Sequence, residues 1–372
     1  MTDLVFNGNE KMTIGAEVEV QLIDPETHGL SSSFPELFKE VPEEFRPFFK
    51  EELIKSNMEI TSKVCQNVSE LEDDLRGKYD VAFQIAEKLN FELGFAGTHP
   101  YARWSTDAIT PNPRYLKLVD NLQFVARQML IFGLHVHVAV DGGDKAVKIC
   151  NHILPYLPIL LAFSANSPFW KGEDSGMHSI RSKIFEGLPT AGVPSEIADW
   201  NKYRWLVKEL IDTNFISSFR ELWWDVRPHP GYGTIEVRAC DCPATLPQIL
   251  GLAALIQAIT RYLSDRIDSG EDLPRFHPIL MEQNKWQAGR YGIHGNFIDI
   301  ETSKVISAKD ACYKALEQFA PYCEELGSKR YLPALYGILE KGTSADIQLQ
   351  VYKDTNDLVE VTKDMIARSK IY

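Results

Sequence analysis

Several short segments of the chain alternate strictly between apolar and polar residues, which is typical of β-strands with one buried face. Residues 14–22, 132–138 and 234–238 each place Ala, Val, Ile or Leu on one face and polar side chains on the other. The polar positions in these three segments are Glu17, Glu19, Gln21, His135, His137, Thr234, Glu236 and Arg238. The same pattern occurs in shorter form at residues 58–61, with Glu59, and 224–227, with Asp225 and Arg227.

These five segments differ from ordinary solvent-facing strands, because their polar positions carry Glu, Asp, His and Arg with almost no Lys. If they share one sheet, its polar face holds at least four carboxylates, two imidazoles and two guanidinium groups. So many charges are tolerated together only where metals, partner charges or ligand phosphates compensate them.

Helical periodicity occupies much of the remaining chain. Residues 69–72 resemble a capping box, and the apolar spacing that follows predicts a helix to Leu89. A second helix is expected over Leu246–Leu263, and others near 200–213, 308–326 and 355–369. Residues 164–194 are rich in Gly, Ser and Pro, and we expect a long, ordered, functional loop with short helices. The mixture of elements predicts an α+β fold.

Composition narrows the function classes. The chain has 372 residues, is 44% hydrophobic and 24% charged, and carries a net charge of −13. An acidic protein of this kind is not expected to bind nucleic acid or an anionic membrane surface. The N-terminus shows no signal peptide pattern, and the apolar stretch 153–165 is short and interrupted by two prolines, so we expect a cytoplasmic protein. No linker or repeat is apparent, and residues 1–372 are expected to form a single domain.

The charged strand faces suggest a particular chemistry. Carboxylates with an imidazole form an oxygen-rich site that suits Mg²⁺ or Mn²⁺, and arginines bind phosphates and carboxylates bidentately. Metal and arginine together are the apparatus of phosphoryl transfer. Taken singly, ExE is usually a solvated face, HxH is more often not a metal-ligand pair, and ExR is usually a salt bridge, but their joint occurrence favours a metal site. No P-loop, complete GxGxxG or GxSxG motif is present, so ATP would be held by metal and arginine.

The order of these motifs resembles the type 2 glutamate–cysteine ligase family, also called YbdK-like carboxylate–amine ligases, over nearly the whole chain. The resembling segments are 15–19 (GAEVE), 58–61 (MEIT), 97–100 (GTHP), 133–138 (GLHVHV), 164–170 (SANSPFW), 181–182 (RS), 188–192 (LPTAG), 223–228 (WWDVRP), 233–238 (GTIEVR) and 284–292 (NKWQAGRYG). The chain departs from the family at Val18, where an acid is common, and at Met177 and Ile180, where tyrosines are usual.

The resemblance implies a glutamine-synthetase-like fold, a curved and largely antiparallel sheet that forms a cup with helices outside. It implies ATP with Mg²⁺ or Mn²⁺ as cofactors, and glutamate and an amino-acid amine such as cysteine as substrates, which react through γ-glutamyl phosphate. A homo-oligomer is compatible with it. The implied metal ligands are Glu17, Glu19, Glu59, His135 and Glu236; the implied catalytic residues are Glu59, Arg181, Arg227 and Arg238; the implied cofactor-binding residues are His137, Thr234 and Arg238.

Two other functions remain open at the level of sequence. A zinc amidohydrolase also uses HxH on a strand, although that motif usually lies near the N-terminus and leaves ExE and ExR without a role. A non-catalytic relative that only binds glutamate or a nucleotide would retain the same motifs. Metal content separates the first alternative from the ligase, and ATP turnover separates the second.

Overall fold

A seven-stranded antiparallel sheet with the strand order β2-β3-β1-β5-β9-β8 forms the centre of the molecule, and the short β4 also pairs with β1. The computed structural model describes residues 4–105, 108–300 and 302–372. Within these ranges the strands are β1 (Ile14–Ile23), β2 (Phe49–Glu51), β3 (Asn57–Thr61), β4 (Glu92–Gly94), β5 (Gly133–Ala139), β6 (Phe169–Trp170), β7 (Glu173–Asp174), β8 (Val226–His229), β9 (Thr234–Asp241), β10 (Asn296–Asp299) and β11 (Lys304–Ser307).

Helices cover the apolar side of this sheet. They are α1 (Phe34–Glu40), α2 (Val68–Leu89), α3 (Pro113–Leu122), α4 (Gly143–His152), α5 (Leu157–Ser164), α6 (Ile180–Phe185), α7 (Trp200–Asp212), α8 (Leu246–Asp268), α9 (Pro278–Tyr291), α10 (Ala308–Glu325), α11 (Pro333–Lys341), α12 (Ser344–Thr355) and α13 (Leu358–Ser369). The predicted α+β class is confirmed. The sheet is open, and residues of both its edge strands line one cavity, so it curves around that cavity.

The strand register brings the predicted polar residues onto one face. Glu17 lies opposite His135, and Glu19 lies opposite Glu59. Glu236 lies between His137 on β5 and Arg227 on β8. The alternating residues Val18, Val20, Ile60, Val136 and Val237 are fully buried in the core. Val18, which replaces a common family acid, therefore faces away from the charged side.

A bulge in β9 changes its alternation near the C-terminal end. Between two paired positions, β9 has two residues, Arg238 and Ala239, where β5 has only His135. Simple alternation would place Cys240 on the same face as Glu236. The additional residue instead puts Cys240 in the core and Asp241 opposite Gly133. Asp241 thereby lies at the end of the polar face.

Most of the predicted helices are confirmed, with boundaries shifted by a few residues. Within the described ranges, α8 is the one single helix that is long and apolar enough to cross a membrane, and 78% of its apolar 18-residue stretch is buried inside the protein. Residues 164–194 form a loop that contains α6 and the small β6–β7 hairpin.

The start of α2 differs from the prediction. The N-cap is Asn67, whose side chain accepts a hydrogen bond from the backbone N–H of Glu70 at 3.0 Å. Ser69 lies inside the first turn, and its hydroxyl accepts from Arg330 instead. Asparagine is as good an N-cap as serine, so residue type alone does not decide which of the two caps the helix.

The cap assignment can be tested by substitution. Asn67→Ala should lower the free energy of unfolding by about 1 kcal/mol, because it leaves an N–H of the first helical turn without its acceptor. Ser69→Ala, the matched control, should change it by less than about 0.5 kcal/mol, since it removes one exposed contact. Denaturant unfolding of both variants checks this, and a larger loss for Ser69→Ala would contradict the assignment.

Candidate active site

The polar face of the sheet opens into a cavity of about 550 Å³. Its walls come from the sheet, from the connection between β2 and β3, from α3 and from the segment preceding β8. The charged and aromatic residues that line it include Glu17, Glu19, Lys50, Glu51, Glu52, Glu59, Arg114, Tyr115, Lys117, His135, Phe185, Arg220, Trp223, Arg227, His229, Tyr232, Glu236 and Arg238. Four of the five predicted metal ligands are carboxylates, and all five lie here.

Carboxylate and imidazole groups form three overlapping clusters, and all of their members line this cavity except His137, which is buried behind its wall. They are Glu17 with Glu59 and His135, Glu17 with His137 and Glu236, and Glu19 with Glu52 and Glu59. In each cluster the potential ligand atoms lie within 4.8 Å of one another. Glu17 is common to two clusters and Glu59 to two, so the three form one continuous row.

Glu17 is the centre of the row. Its two oxygens lie 3.2 Å from His135 Nδ1 and 3.5 Å from His137 Nε2. Burial alone would raise the pKa of Glu17, but the two histidines outweigh burial and hold that pKa well below its ordinary value. Burial, with the charge of Arg238, lowers the pKa of His135 to about 4. His135 is therefore neutral at physiological pH, which is the form that binds metals.

Three of the other four carboxylates in these clusters, Glu19, Glu52 and Glu59, show the opposite behaviour. Burial and the charges of Glu17 and Glu52 raise the pKa of Glu59 well above its ordinary value, even though Lys50 Nζ lies 3.3 Å away. Burial and the charge of Glu19 raise the pKa of Glu52 to about 7. Burial also raises the pKa of Glu19, despite the nearby arginines. Negative charge in this part of the cavity is thus incompletely compensated by the protein itself.

Glu236 has a different environment, because two arginines hold it. Arg227 Nε and Nη2 donate to its two oxygens at 2.7 and 3.2 Å, and Arg238 Nη1 donates to one of them. Burial would raise the pKa of Glu236, but the arginines outweigh burial and keep that pKa well below normal. Arg227 also donates to the carbonyls of Arg220 and Leu222 at 2.7 and 2.8 Å, so its fork is fully engaged.

Arg238 and His137 each have a buried nitrogen that makes no close hydrogen bond. Arg238 Nε has no hydrogen-bond partner among the described residues, and His137 Nε2 makes only its 3.5 Å approach to Glu17. The opposite nitrogen of His137 pairs with Thr234 Oγ1 at 3.0 Å, which fixes the ring. Thr234 itself is buried beneath the imidazole and is not among the residues that line the cavity. Thr234 contacts His137, and its hydroxyl orients the imidazole ring.

Arg181 lies behind the cavity rather than in its wall. It is 2% exposed, is absent from the cavity lining, and packs so tightly on Gly133 that a Cβ there would overlap its guanidinium group. Its charge acts against burial in setting the pKa of both Glu19 and Asp241. Met177 and Ile180, two positions where the sequence departs from the family that it resembles, are not among the cavity-lining residues either.

Two residues near the site had no signal in the sequence pattern. Glu52 belongs to the connection after β2, where no alternation identifies a face. Asp241 reaches its position through the bulge in β9. It accepts hydrogen bonds from Ser167 and Ser179 at 2.7 Å each, and so fixes the loop that carries Arg181.

The donor set fits a hard divalent cation. It consists of carboxylate oxygens and imidazole nitrogens, with His137 Nε2 directed at a carboxylate oxygen of Glu17 and an excess of negative charge around Glu59. Mg²⁺ and Mn²⁺ prefer such ligands, whereas structural zinc favours thiolates and histidines. Cys240 and Cys242 are buried in the core away from this cavity.

Comparison with known proteins gives a consistent picture. The model of "Glutamate-cysteine ligase family 2" matches residues 13–364. A protein of Gloeobacter violaceus named "Putative glutamate--cysteine ligase 2" is 40% identical over 97% of this chain and 98% of its own length. A protein of the same name from Thermobifida fusca is 35% identical, over 97% of this chain and 92% of its own.

Two solved structures are similar in fold. The glutamate–cysteine ligase of Francisella tularensis in complex with AMP matches with a TM-score of 0.69 and 12% identity, over 98% of this chain and 90% of that one. A bifunctional glutathione synthetase from Pasteurella multocida matches with a TM-score of 0.69 and 14% identity, over 96% of this chain and 52% of that one. The expected resemblance in fold is confirmed.

The pairing of Arg227 with Glu236 predicts a stability effect. Arg227→Leu should lower the free energy of unfolding by about 3–5 kcal/mol, because it leaves a buried carboxylate without its main partner. The double variant Arg227→Leu/Glu236→Gln also removes the buried charge, so it should recover part of that loss. Equilibrium unfolding in urea measures both, and a double variant no more stable than Arg227→Leu would contradict this account.

Proposed function

Because the chain belongs to the glutamate–cysteine ligase family 2, it is an ATP-dependent ligase, and we propose that it joins the γ-carboxylate of glutamate to the amine of cysteine or a related amino acid. The observation that carries the proposal is one cavity where two carboxylate–imidazole clusters and one cluster of three carboxylates lie beside the arginines of β8 and β9. A site for a divalent cation beside arginines is what phosphoryl transfer from ATP requires.

The cation would be held by Glu17, Glu19, Glu59, His135 and Glu236, with Glu52 and His137 as further donors from the same clusters. When bound, Mg²⁺ or Mn²⁺ would neutralise the phosphates of ATP, so that an anionic carboxylate can approach them. The residues themselves supply a preformed row of oxygen and nitrogen donors. Lys50 pairs with Glu59 in that row.

Arg238 is the proposed phosphate-binding residue. Its Nη1 is anchored on Glu236, while its buried Nε has no partner in the described part of the chain. Anchoring on a carboxylate fixes the guanidinium plane, and the remaining N–H groups would donate to a ligand that accepts bidentate hydrogen bonds, such as a phosphate. Arg227 positions Glu236 through two hydrogen bonds. Arg181 lies outside the cavity wall, and its positive charge acts on Glu19.

The reaction follows from the chemistry of the substrates. The γ-carboxylate of glutamate is a poor electrophile at neutral pH, because an amine will not displace oxide. In the first step an oxygen of that carboxylate attacks the γ-phosphorus of ATP, and the bond to the bridging oxygen breaks with release of ADP. In the second step the amine attacks the carbonyl carbon of γ-glutamyl phosphate, phosphate leaves, and the amine loses a proton. No nucleophilic side chain is required.

Turnover tests the proposal directly. Purified protein with ATP, Mg²⁺ and glutamate should release ADP on addition of the right amine, and a panel of amino acids that includes cysteine identifies it. With glutamate labelled by ¹⁸O in the γ-carboxylate, one labelled oxygen should appear in inorganic phosphate per product formed, because the acyl phosphate carries it.

Two outcomes would count against this function. Release of AMP and pyrophosphate would show that the carboxylate is activated by adenylation. An absence of glutamate-dependent ADP formation with every amine would favour a binding protein without catalysis. Cys240→Ala serves as the matched control, since its thiol is buried in the core and should be dispensable for turnover.

A further inference from the structure

We propose that the ring of Tyr232, at the tip of the β8–β9 hairpin, is the platform on which the purine base of the nucleotide stacks. The inference rests on the proposed function, which requires ATP, and assigns one end of the cavity to the base. Aromatic faces bind nucleobases by stacking, without need of hydrogen bonds to the base edge.

The ring of Tyr232 is placed as a platform would be. One face stacks on the imidazole of His229, with centroids 4.1 Å apart and planes 13° from parallel. The residue nevertheless remains 52% exposed and lines the cavity. His229 is buried and is held in turn by the edge contact of Phe219, at 5.0 Å. A planar ligand could therefore cover the free face while the other face stays supported.

The hairpin tip is also fixed before any ligand arrives. Gly233 has a φ of +64°, and a Cβ at this position would overlap the carbonyl oxygen of Asn7. The Asn7 backbone N–H donates to Pro230 O at 3.0 Å, and its side-chain amide donates to Gly231 O at 3.2 Å. The N-terminal segment thus holds the turn in one shape, which lowers the entropic cost of ordering it on binding.

The position of this platform relative to the charged groups suits a nucleotide. The Tyr232 ring lies 5.5 Å from the ring of His137, which belongs to the cluster with Glu17 and Glu236. A base stacked on Tyr232 would direct its phosphates along this cluster toward Arg238. The opposite end of the cavity, near Glu19, Glu52 and Arg114, would remain for the second substrate.

The other aromatic residues of the cavity offer less free ring surface, since Trp223 and Phe185 are half-buried and His229 is buried against Tyr232. Phe185 already faces the guanidinium groups of Arg181 and Arg238, at 5.6 and 5.9 Å from its centroid. Tyr115 is buried, and its hydroxyl donates to the carbonyl of Glu51 at 3.1 Å. Of the aromatic residues in the described lining, Tyr232 is the exposed one.

Calorimetric titration of the full chain in Mg²⁺, with ADP and separately with inorganic tripolyphosphate, tests the platform. Tyr232→Ala and Tyr232→Leu should raise the Kd for ADP about tenfold, the effect expected for loss of one base–aromatic stack. Both should leave the Kd for tripolyphosphate, which has no base, within about twofold of wild type. Tyr232→Phe and Tyr232→Trp should retain ADP binding, because they retain an aromatic face. Trp205→Ala removes another exposed aromatic outside the cavity and should change neither Kd.

The outcomes separate this inference from the function on which it rests. Equal ADP binding by wild type, Tyr232→Ala and Tyr232→Leu would overturn the platform while leaving the ligase proposal intact. Equal weakening of ADP and tripolyphosphate would also overturn it, because the loss would then concern the phosphate site. A wild-type protein that binds no ADP would contradict both. The leucine variant keeps apolar bulk on His229, so the comparison holds even where the alanine variant is unstable.

Discussion

The mutual repulsion of buried carboxylates on one face of the sheet is the constraint on which the rest of this structure depends. Glu17, Glu19, Glu52 and Glu59 lie together in a cavity where water screens them poorly, and the pKa of Glu59 is raised well above normal because burial and its neighbours disfavour its charge. A fold that only needed stability would gain from replacing such groups with apolar ones. Their retention is understandable if a divalent cation and the phosphates of a nucleotide complete the charge balance.

The positive and polar partners of these carboxylates become fewer from β8 across the sheet to β3. At one side, Arg227 and Arg238 neutralise Glu236 and keep it ionised. At the centre, the imidazoles of His135 and His137 contact Glu17. Toward β3 the protein supplies only Lys50, and the carboxylates there remain under-compensated. The proposed phosphate-binding arginines therefore lie on one side of the row of carboxylates, and the least compensated carboxylates lie on the other.

Much of this could be read from the sequence, because alternation along a strand encodes which side chains share a face. Glu17, Glu19, His135, His137 and Glu236 were assigned to one face by that rule, and the register bears it out. Arg238, assigned to the same face, lies in the bulge outside the paired positions but still lines the cavity and donates to Glu236. Glu52 could not be found in this way, since it lies between strands where no period exists. Asp241 was hidden by the additional residue in β9, which shifts the alternation by one. Arg181 was predicted to be catalytic from the family resemblance, yet tertiary packing buries it outside the cavity wall.

Titration of the metal-free protein with Mn²⁺, followed by electron paramagnetic resonance, tests the central claim most directly. Wild type should bind the ion, and Glu59→Gln should weaken binding at least about tenfold, since it removes a donor shared by two of the three clusters. Glu51→Gln removes the same charge from the cavity wall outside those clusters and should change the affinity by less than about twofold, because Glu51, unlike the buried carboxylates, is exposed and its charge is screened by water. Equal weakening by the two substitutions, or no binding by wild type, would contradict the account.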